Sequence, residues 1–281
     1  MKFTKEKTGV SCGSAGINLP LTLDCGQAFR WRPHGDGFRA AVGDKLITVE
    51  ERGGGLYFSA NCDPEALASA VTDYFDLDRD YDEIERVISA DTYVAEAMKT
   101  CRGLRILKQE PFEALISFII SQNNNVPRIK NIVETLCGCF GEPLGDGVCS
   151  FPTAKKLASL REEDLAPLRC GYRARYIIEA ARKVASGELD LAAAAAADED
   201  ACMRALKGVT GVGDKVAACV MLFGLGRLDS FPMDVWMKRV VRTLYGGAPD
   251  VRGLFGGYAG VAQQYLFVLA RQEKYLDKLG R

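Results

Sequence analysis

Short runs in which apolar and polar residues alternate fill the chain from Leu19 to Ser59. Residues typical of turns, such as HGDG and RGGG, separate one run from the next. A period of two is typical of a β-strand with one buried face, and glycine-rich breaks are typical of hairpins. The pattern therefore predicts an antiparallel sheet. Its candidate strands are LPLTL, QAFRW, GFRAAV, KLITVE and GLYFSA.

The periodicity becomes helical after this sheet. Asp63 and Pro64 are typical of an N-cap and a first helical residue, and helical spacing follows from Glu65 to Phe75. Beyond Ile84 almost every segment has helical spacing, with short joints rich in glycine and proline. The run Ala192 to Ala197 favours a helix or a helical spacer. The other predicted helices are Asp91–Cys101, Pro111–Ile120, Arg128–Phe140, Thr153–Leu160, Tyr176–Ser186, Asp198–Leu206, Lys215–Gly224, Val235–Tyr245 and Ala259–Arg271.

The change of period also predicts two domains in an α+β fold. An antiparallel sheet domain with flanking helices is expected at residues 1–90, packed on a mostly helical domain at residues 91–281. A chain of 281 residues is long for one core and sufficient for two.

Composition places the chain among globular proteins. Apolar residues make up 48% and charged residues 26%, which excludes disordered and fibrous classes. The longest apolar stretch, Val216 to Leu225, is too short to cross a bilayer, and Met1 to Thr8 has no apolar signal core. We therefore expect a protein with no membrane partner and no secretion signal.

Histidine and cysteine usage excludes several chemistries. The only histidine, His34, stands in a turn, so a zinc site with two histidines is impossible. The ten cysteines include no C-x-x-C pair, and none follows Cys219, which excludes a C-terminal iron-sulfur loop. We expect reduced thiols, no metal and no cofactor.

A net charge of −1 shows that the chain is not basic overall. A polyanion would have to bind a face on which positive charge is concentrated. On charge alone, a solvated helix face is the better interpretation of such clusters. The candidate cations in the second half are Arg169, Arg173, Arg175, Arg182, Lys183, Lys238, Arg239 and Arg242.

The segment from Gly208 to Val241 holds the most informative chemistry. It fails as a nucleotide loop, because Asp214 stands where a phosphate loop has its lysine. What remains is a tight hairpin, Gly211-Val212-Gly213, between two helices. Amide groups at such a helix N-terminus can bind a backbone phosphate, since glycine has no side chain to block the approach. A simple turn between helices fits these residues about as well.

Lys215 favours the functional interpretation. Its ammonium lies in the first turn of a predicted helix, at the positive end of the helix dipole, where stability would favour an acid. Asp234 precedes the next helix and is a candidate N-cap, and for an isolated aspartate a structural cap is the better interpretation. An amine and a fixed carboxylate together are the parts needed for Schiff-base chemistry at a sugar carbon.

This arrangement resembles the helix-hairpin-helix DNA glycosylase superfamily. Lys215 and Asp234 are nineteen positions apart, with a G-V-G hairpin before the lysine and P-x-D around the acid. From about Leu19 to Phe267 the chain is similar to the 8-oxoguanine DNA glycosylase/lyase branch of that superfamily. The strings that carry the likeness are CGQAFRW at 25–31, SQNNN at 121–125, GYRARY at 171–176 and YAGVAQ at 258–263.

The resemblance implies a catalytic pair and a base pocket. Lys215 matches the nucleophile that attacks C1′ of the damaged nucleotide, and Asp234 matches the carboxylate that stabilises the cationic sugar. Cys219 and Phe267 match the two walls that enclose the base. The Watson-Crick edge is expected to be read by Gln263.

A glycine supplies the expected discrimination between 8-oxoguanine and guanine. Gly26 matches the family position whose backbone carbonyl accepts the N7–H hydrogen bond of 8-oxoguanine, whereas guanine N7 is itself an acceptor. The alternative is that Gly26 only allows a bulge in a strand.

A second group of residues is expected to contact the cytosine left unpaired when the damaged base leaves the helix. Asn123, Arg128, Tyr172 and Arg173 match this group. An aromatic wedge can replace lost stacking, and arginines can donate to the acceptor edge of cytosine. Trp236 stands where better-known relatives have a histidine that contacts phosphate.

The resemblance therefore implies a bifunctional glycosylase and AP lyase of base excision repair that removes 8-oxoguanine and nicks the strand. Its expected partner is duplex DNA with an oxidised guanine, opposite cytosine, bound by a monomer. In a prokaryote the enzyme is expected in the cytoplasm, associated with the nucleoid, and the sequence has no evident nuclear targeting run. The alternatives are a glycosylase/lyase for another oxidised base, and a non-catalytic module that only grips the DNA backbone.

Overall fold

The computed structural model describes residues 1–14 and 16–271. Residues 272–281, the end of the predicted second domain, lie outside the described residues. An antiparallel sheet near the N-terminus is followed by a larger helical part, so the predicted α+β fold is confirmed.

Six strands form one antiparallel sheet: β1 (Thr4–Glu6), β2 (Gly9–Gly13), β3 (Arg32–His34), β4 (Gly37–Val42), β5 (Lys45–Arg52) and β6 (Gly55–Ala60). Their spatial order is β1-β2-β6-β5-β4-β3. The last three strands confirm the three predicted runs with the clearest alternation. Strands β1 and β2 were not predicted, because they are too short and too polar to show a clear alternation.

The first two predicted strands are wrong. Residues Leu19–Asp24 form helix α1, because the Asn18 side chain caps it by accepting a hydrogen bond from the Leu21 amide at 3.0 Å, with Pro20 in the first turn. The run QAFRW is a buried loop with no strand pairing, and strand β3 begins only after it, at Arg32.

Twelve further helices follow in the described chain: α2 (Pro64–Tyr74), α3 (Tyr81–Ile88), α4 (Thr92–Cys101), α5 (Pro111–Ile120), α6 (Val126–Phe140), α7 (Ala154–Ala158), α8 (Arg173–Ser186), α9 (Leu191–Ala196), α10 (Glu199–Lys207), α11 (Asp214–Phe223), α12 (Val235–Leu244) and α13 (Ala259–Arg271). The predicted helices are confirmed with small shifts of their ends, and α3 was not predicted. Short 3₁₀ helices span Glu162–Leu168 and Arg252–Tyr258, and a small hairpin pairs β7 (Pro143–Gly145) with β8 (Val148–Cys149).

Two hydrophobic cores lie side by side. The smaller core fills the space between the sheet and α2 and is built around Trp31, Phe58 and Phe75. The larger core joins the helices from α3 to α13, and it also takes in Cys25 and Phe29 from the loop after α1. The loop that carries Gly26 is therefore anchored in the helical core, although it belongs to the N-terminal part of the chain.

Gln27 fastens this loop to the segment between α4 and α5. Its side chain is 1% exposed, its amide nitrogen donates to the Arg105 carbonyl at 2.7 Å, and its amide oxygen accepts from the Leu107 amide at 3.0 Å. The Gln109 side chain returns a bond to the Gln27 carbonyl at 2.7 Å. Because these polar groups are buried and paired, the loop has little freedom to change its position.

Helix α11 packs on α5, and the first turn of α11 meets the end of α5. The Phe118 ring of α5 stacks on Phe223 of α11, with centroids 5.3 Å apart. This packing carries the side chain of Lys215, at the start of α11, to Ser121 at the end of α5.

Candidate active site

Lys215 lies in the first turn of α11 and is half-buried. Its Nζ donates to Ser121 Oγ at 3.1 Å and is 5.4 Å from the centroid of the Phe118 ring. The adjacent Asp214 carboxylate is directed elsewhere, because it pairs with Lys207 at 2.5 Å. The lysine predicted as nucleophile therefore has its amine at a defined position.

The hairpin before Lys215 uses its two glycines differently. At Gly211, φ is +85°, and an added Cβ would lie 2.4 Å from Cδ2 of Tyr176. At Gly213, the N-cap of α11, φ is −96° and an added Cβ would meet no atom within 4 Å. Gly211 is thus needed for the fold, whereas Gly213 leaves an open approach to the helix N-terminus, where a phosphate can bind.

Asp234 is the N-cap of α12, as predicted. Its Oδ1 accepts a hydrogen bond from the Met237 amide at 2.9 Å, and the residue is half-buried. Capping fixes the carboxylate while leaving its second oxygen free of a hydrogen bond within the described chain.

The thiol of Cys219 is influenced by the charges of both Lys215 and Asp234. Burial raises the pKa of its thiol above the ordinary value; the Lys215 ammonium opposes this shift and the Asp234 carboxylate adds to it. The thiol is therefore neutral near pH 7 and presents an uncharged surface. Lys215 and Asp234 therefore both act on the same thiol.

One face of α13 carries the other predicted base contacts. Gln263 and Phe267 are four residues apart and therefore lie on the same face of the helix. Gln263 is buried, with its amide nitrogen 3.2 Å from the Pro232 carbonyl, and Phe267 is half-buried. Gln263 thus connects α13 to the loop that ends at Asp234.

The Gly26 loop meets this face through a residue that was not predicted. Arg271 lies four residues after Phe267, its guanidinium is 5.4 Å from the Phe267 ring, and its Nη1 donates to the Cys25 carbonyl at 3.1 Å. The signal that could have found it is the spacing of four from Gln263 and Phe267. Arg271 therefore links Phe267 to the loop that contains Gly26.

Gly26 does not form a strand bulge, because it lies in the loop after α1. Its φ is +99°, and an added Cβ would be 3.5 Å from Val126 Cγ2 and 3.6 Å from Arg271 Nη1, which are ordinary contacts. The backbone conformation, and not crowding, is therefore what requires glycine here.

Asn123 and Tyr172, which belong to the second predicted group, contact each other. Asn123 Nδ2 donates to the Tyr172 hydroxyl at 3.3 Å, and Asn123 has a φ of +46°. The Tyr172 ring is 51% exposed and rests edge-on against Tyr176, with centroids 5.6 Å apart. An exposed ring with support beneath it has the form of a wedge.

The two arginines of this group differ in their accessibility. Arg128 is exposed, with one hydrogen bond from its guanidinium to the Arg169 carbonyl at 3.2 Å. Arg173 is buried, and its guanidinium donates to the carbonyls of Gln122, Asn123 at 3.2 Å and Cys170 at 3.1 Å. In this structure Arg173 holds the Asn123 turn and stacks on Tyr172, 4.6 Å from the ring centroid.

The candidate cations divide in a similar way. Arg175, Lys238 and Arg242 are exposed and can meet a polyanion. Arg182 instead donates to the carbonyls of Ala158 and Leu160, and Lys183 pairs with Glu188. Beside Asp234, Val235 is 77% exposed and Trp236 is 38% exposed. The first turn of α12 therefore presents an exposed apolar surface.

Within residues 1–14 and 16–271, no group of three or more His, Cys, Asp or Glu side chains is arranged to hold a metal ion. Over the same part of the chain, no helix has the length and apolar content needed to cross a bilayer.

Two family models together match nearly the whole described chain. Residues 10–115 match the N-terminal domain of 8-oxoguanine DNA glycosylase, and residues 116–252 match the HhH-GPD superfamily of base excision DNA repair proteins. The chain belongs to the 8-oxoguanine DNA glycosylase family. Gln263, Phe267 and Arg271 lie beyond the matched residues, in the part of the glycosylase that the solved structures cover.

Three relatives show the extent of the likeness. The N-glycosylase/DNA lyase of Saccharomyces cerevisiae is 35% identical over 81% of this chain and 68% of its own length. The structure of MBOgg1 with a low-affinity DNA ligand has a TM-score of 0.91 and 38% identity, covering 100% of both chains. The Clostridium acetobutylicum 8-oxoguanine glycosylase/lyase, in complex with double-stranded DNA that has cytosine opposite 8-oxoguanine, has a TM-score of 0.89 and 34% identity over 96% of this chain and 98% of that chain.

Proposed function

We propose that this glycosylase binds duplex DNA in which 8-oxoguanine lies opposite cytosine, and that Lys215 attacks C1′ of the damaged nucleotide. The enzyme is a bifunctional N-glycosylase/DNA lyase that acts on 8-oxoguanine. The observation that carries the residue assignment is the half-buried Lys215 amine, held at a helix start beside a thiol that is influenced by both Lys215 and Asp234.

The proposed reaction has two stages. Lys215 Nζ forms a bond to C1′ as the bond from C1′ to the base breaks, and the base leaves with the bonding electrons and takes up a proton. The sugar ring then opens to an imine on Nζ. Loss of a proton from C2′ expels the 3′ phosphate by β-elimination, which nicks the strand, and water releases Lys215.

Asp234 is proposed to stabilise the positive charge that develops on the sugar. Its carboxylate is held by the Met237 amide at a helix N-terminus, and within the described residues no salt bridge neutralises its charge. A fixed negative charge in a partly buried site acts more strongly on a developing cation than it would in water.

The damaged base is proposed to lie between Cys219 and Phe267, with its Watson-Crick edge toward Gln263. The carbonyl of Gly26 would then accept N7–H. With guanine, two acceptors would face each other, and each unpaired group would cost roughly 1–3 kcal/mol.

On the other strand, Tyr172 is proposed to fill the gap left by the extruded nucleotide, with Asn123 and Arg128 at the unpaired cytosine. Arg173 would reach that base only by exchanging its backbone carbonyls for the cytosine edge. We propose that the enzyme acts on DNA as a monomer. A module that only grips DNA would leave the half-buried Lys215 amine unexplained.

The test is excision and borohydride trapping on duplexes that carry 8-oxoguanine opposite each of the four bases. We expect base release and a reduced covalent adduct, fastest opposite cytosine. Equal rates opposite all four bases would remove the proposed cytosine preference, and release without an adduct would remove the imine.

A further inference from the structure

The contact between Lys215 and Ser121 joins two helix ends that are far apart in sequence. Ser121 is the C-cap of α5, and its Oγ is 3.1 Å from Lys215 Nζ. The same Oγ donates to the Phe118 carbonyl, one turn back in α5, at 2.8 Å. No part of the function proposed above uses this serine.

The hydroxyl hydrogen determines what Ser121 can offer to the lysine. A serine hydroxyl has one hydrogen and two lone pairs. Because the hydrogen is directed to the Phe118 carbonyl, only a lone pair faces Lys215, and Nζ must be the donor. Ser121 can therefore accept from the ammonium and from the neutral amine alike, and it does not occupy the lone pair of the neutral amine.

The helix ends explain why a lysine is tolerated here. A positive charge in the first turn of α11 is disfavoured by the dipole of that helix, whereas the last turn of α5 presents the negative end of its own dipole. The amine lies between the two ends. Within the described residues Lys215 forms no ion pair, and its amine is held by the Ser121 hydroxyl at the end of α5.

We propose that Ser121 is a positioning residue for the nucleophile. It fixes Nζ through one N–H bond and leaves the lone pair of the neutral amine free to attack C1′. This inference rests on the proposed role of Lys215 as the nucleophile.

The test compares Ser121→Ala with Ser121→Thr, which keeps the hydroxyl, in single-turnover excision of 8-oxoguanine with enzyme in excess. The matched control is Ser159→Ala. Ser159 is also a helix C-cap whose hydroxyl donates one turn back, to the Lys156 carbonyl at 2.7 Å. It lies in α7, and no lysine side chain among the described residues donates to it. Binding to the same duplex and the melting temperature are measured for every variant.

We expect Ser121→Ala to slow the single-turnover rate on the order of tenfold, with duplex affinity and melting temperature close to those of Ser159→Ala. Ser121→Thr should recover most of the rate. An unchanged rate in Ser121→Ala overturns the proposal, as does a loss of rate that follows the melting temperature and is not recovered by threonine.

A parallel Lys215→Gln sample separates this inference from the function on which it rests. If Lys215→Gln still forms the reduced adduct, the nucleophile has been assigned wrongly and the role of Ser121 fails with it. If Lys215→Gln is inactive and Ser121→Ala is fully active, only the positioning role fails.

Discussion

The proposed catalytic side and the proposed opposite-base side of the site use their polar groups differently. On the proposed catalytic side, Lys215 Nζ donates to Ser121 and Asp234 accepts from the Met237 amide, and both keep further donor or acceptor capacity for a ligand. On the proposed opposite-base side, the Arg173 guanidinium donates to backbone carbonyls, and Asn123 donates to the Tyr172 hydroxyl. The polar groups of the first side can still bind a substrate, whereas those of the second side are bonded to one another and to the backbone in the free protein.

This difference predicts which measured property each substitution should change. Groups that are free to act on the substrate should change the rate when removed, with little effect on the free protein. Groups that hold one another should change DNA binding, opposite-base preference and stability.

The largest effect should come from the substrate. 8-Bromoguanine is bulky at C8 but keeps a lone pair at N7, which would face the Gly26 carbonyl. We expect excision to be slower than for 8-oxoguanine by about 10⁴-fold, because a buried acceptor would be left unpaired. Single-turnover rates on matched duplexes measure this, and comparable rates would mean that the pocket reads bulk at C8.

Asp234→Asn should show the next largest effect. Asparagine can keep the cap but loses the charge, so the rate should fall by a factor on the order of 10² or more with little change in melting temperature. Asp198→Asn is the control, because Asp198 caps α10 in the same way, accepting from the Ala201 amide at 2.8 Å. A near-normal rate with a lowered melting temperature would make Asp234 only a cap.

The two arginines should change selectivity by smaller factors, on the order of tenfold. Arg128→Ala should relax the preference for cytosine and leave the fold intact, because its side chain is exposed. Arg173→Ala should relax it and also lower the melting temperature, because three carbonyls lose their donor. Equal losses against every opposite base would instead identify both as contacts to the backbone.

The hairpin glycines should give the smallest effects on rate and a clear contrast in stability. Gly211→Ala places a Cβ against Tyr176 at a φ of +85°, so it should lower the melting temperature and disturb the support beneath Tyr172. Gly213→Ala meets open space, so it should leave the melting temperature unchanged and weaken duplex binding by a few-fold at most. The reverse pattern would contradict the assigned roles.

The parts of the fold that could be predicted were those with a local signal. Asp63-Pro64 and Asp234 cap helices because of their own side chains, and the strand runs after Phe38 alternate clearly. The run LPLTL alternates too, but the cap from Asn18 and the proline in its first turn make it a helix.

The sequence identified which residues belong to the candidate site, but it did not predict the contacts that these residues make. Resemblance could nominate Arg173, but its burial against the Gln122 carbonyl arises from packing across 51 positions of sequence. Likewise, the bond between Lys215 and Ser121 spans 94 positions, and no local pattern reports it. Arg271 was missed, although its helical spacing from Phe267 gave a usable signal.

The most direct test of the central claim is to find which residue carries the sugar. The borohydride-reduced adduct formed with an 8-oxoguanine duplex is digested, and the modified peptide is sequenced by mass spectrometry. We expect the reduced sugar on Nζ of Lys215, at the start of the segment KVAACV. An adduct on Lys207 or Lys238, or no adduct despite base release, would contradict it.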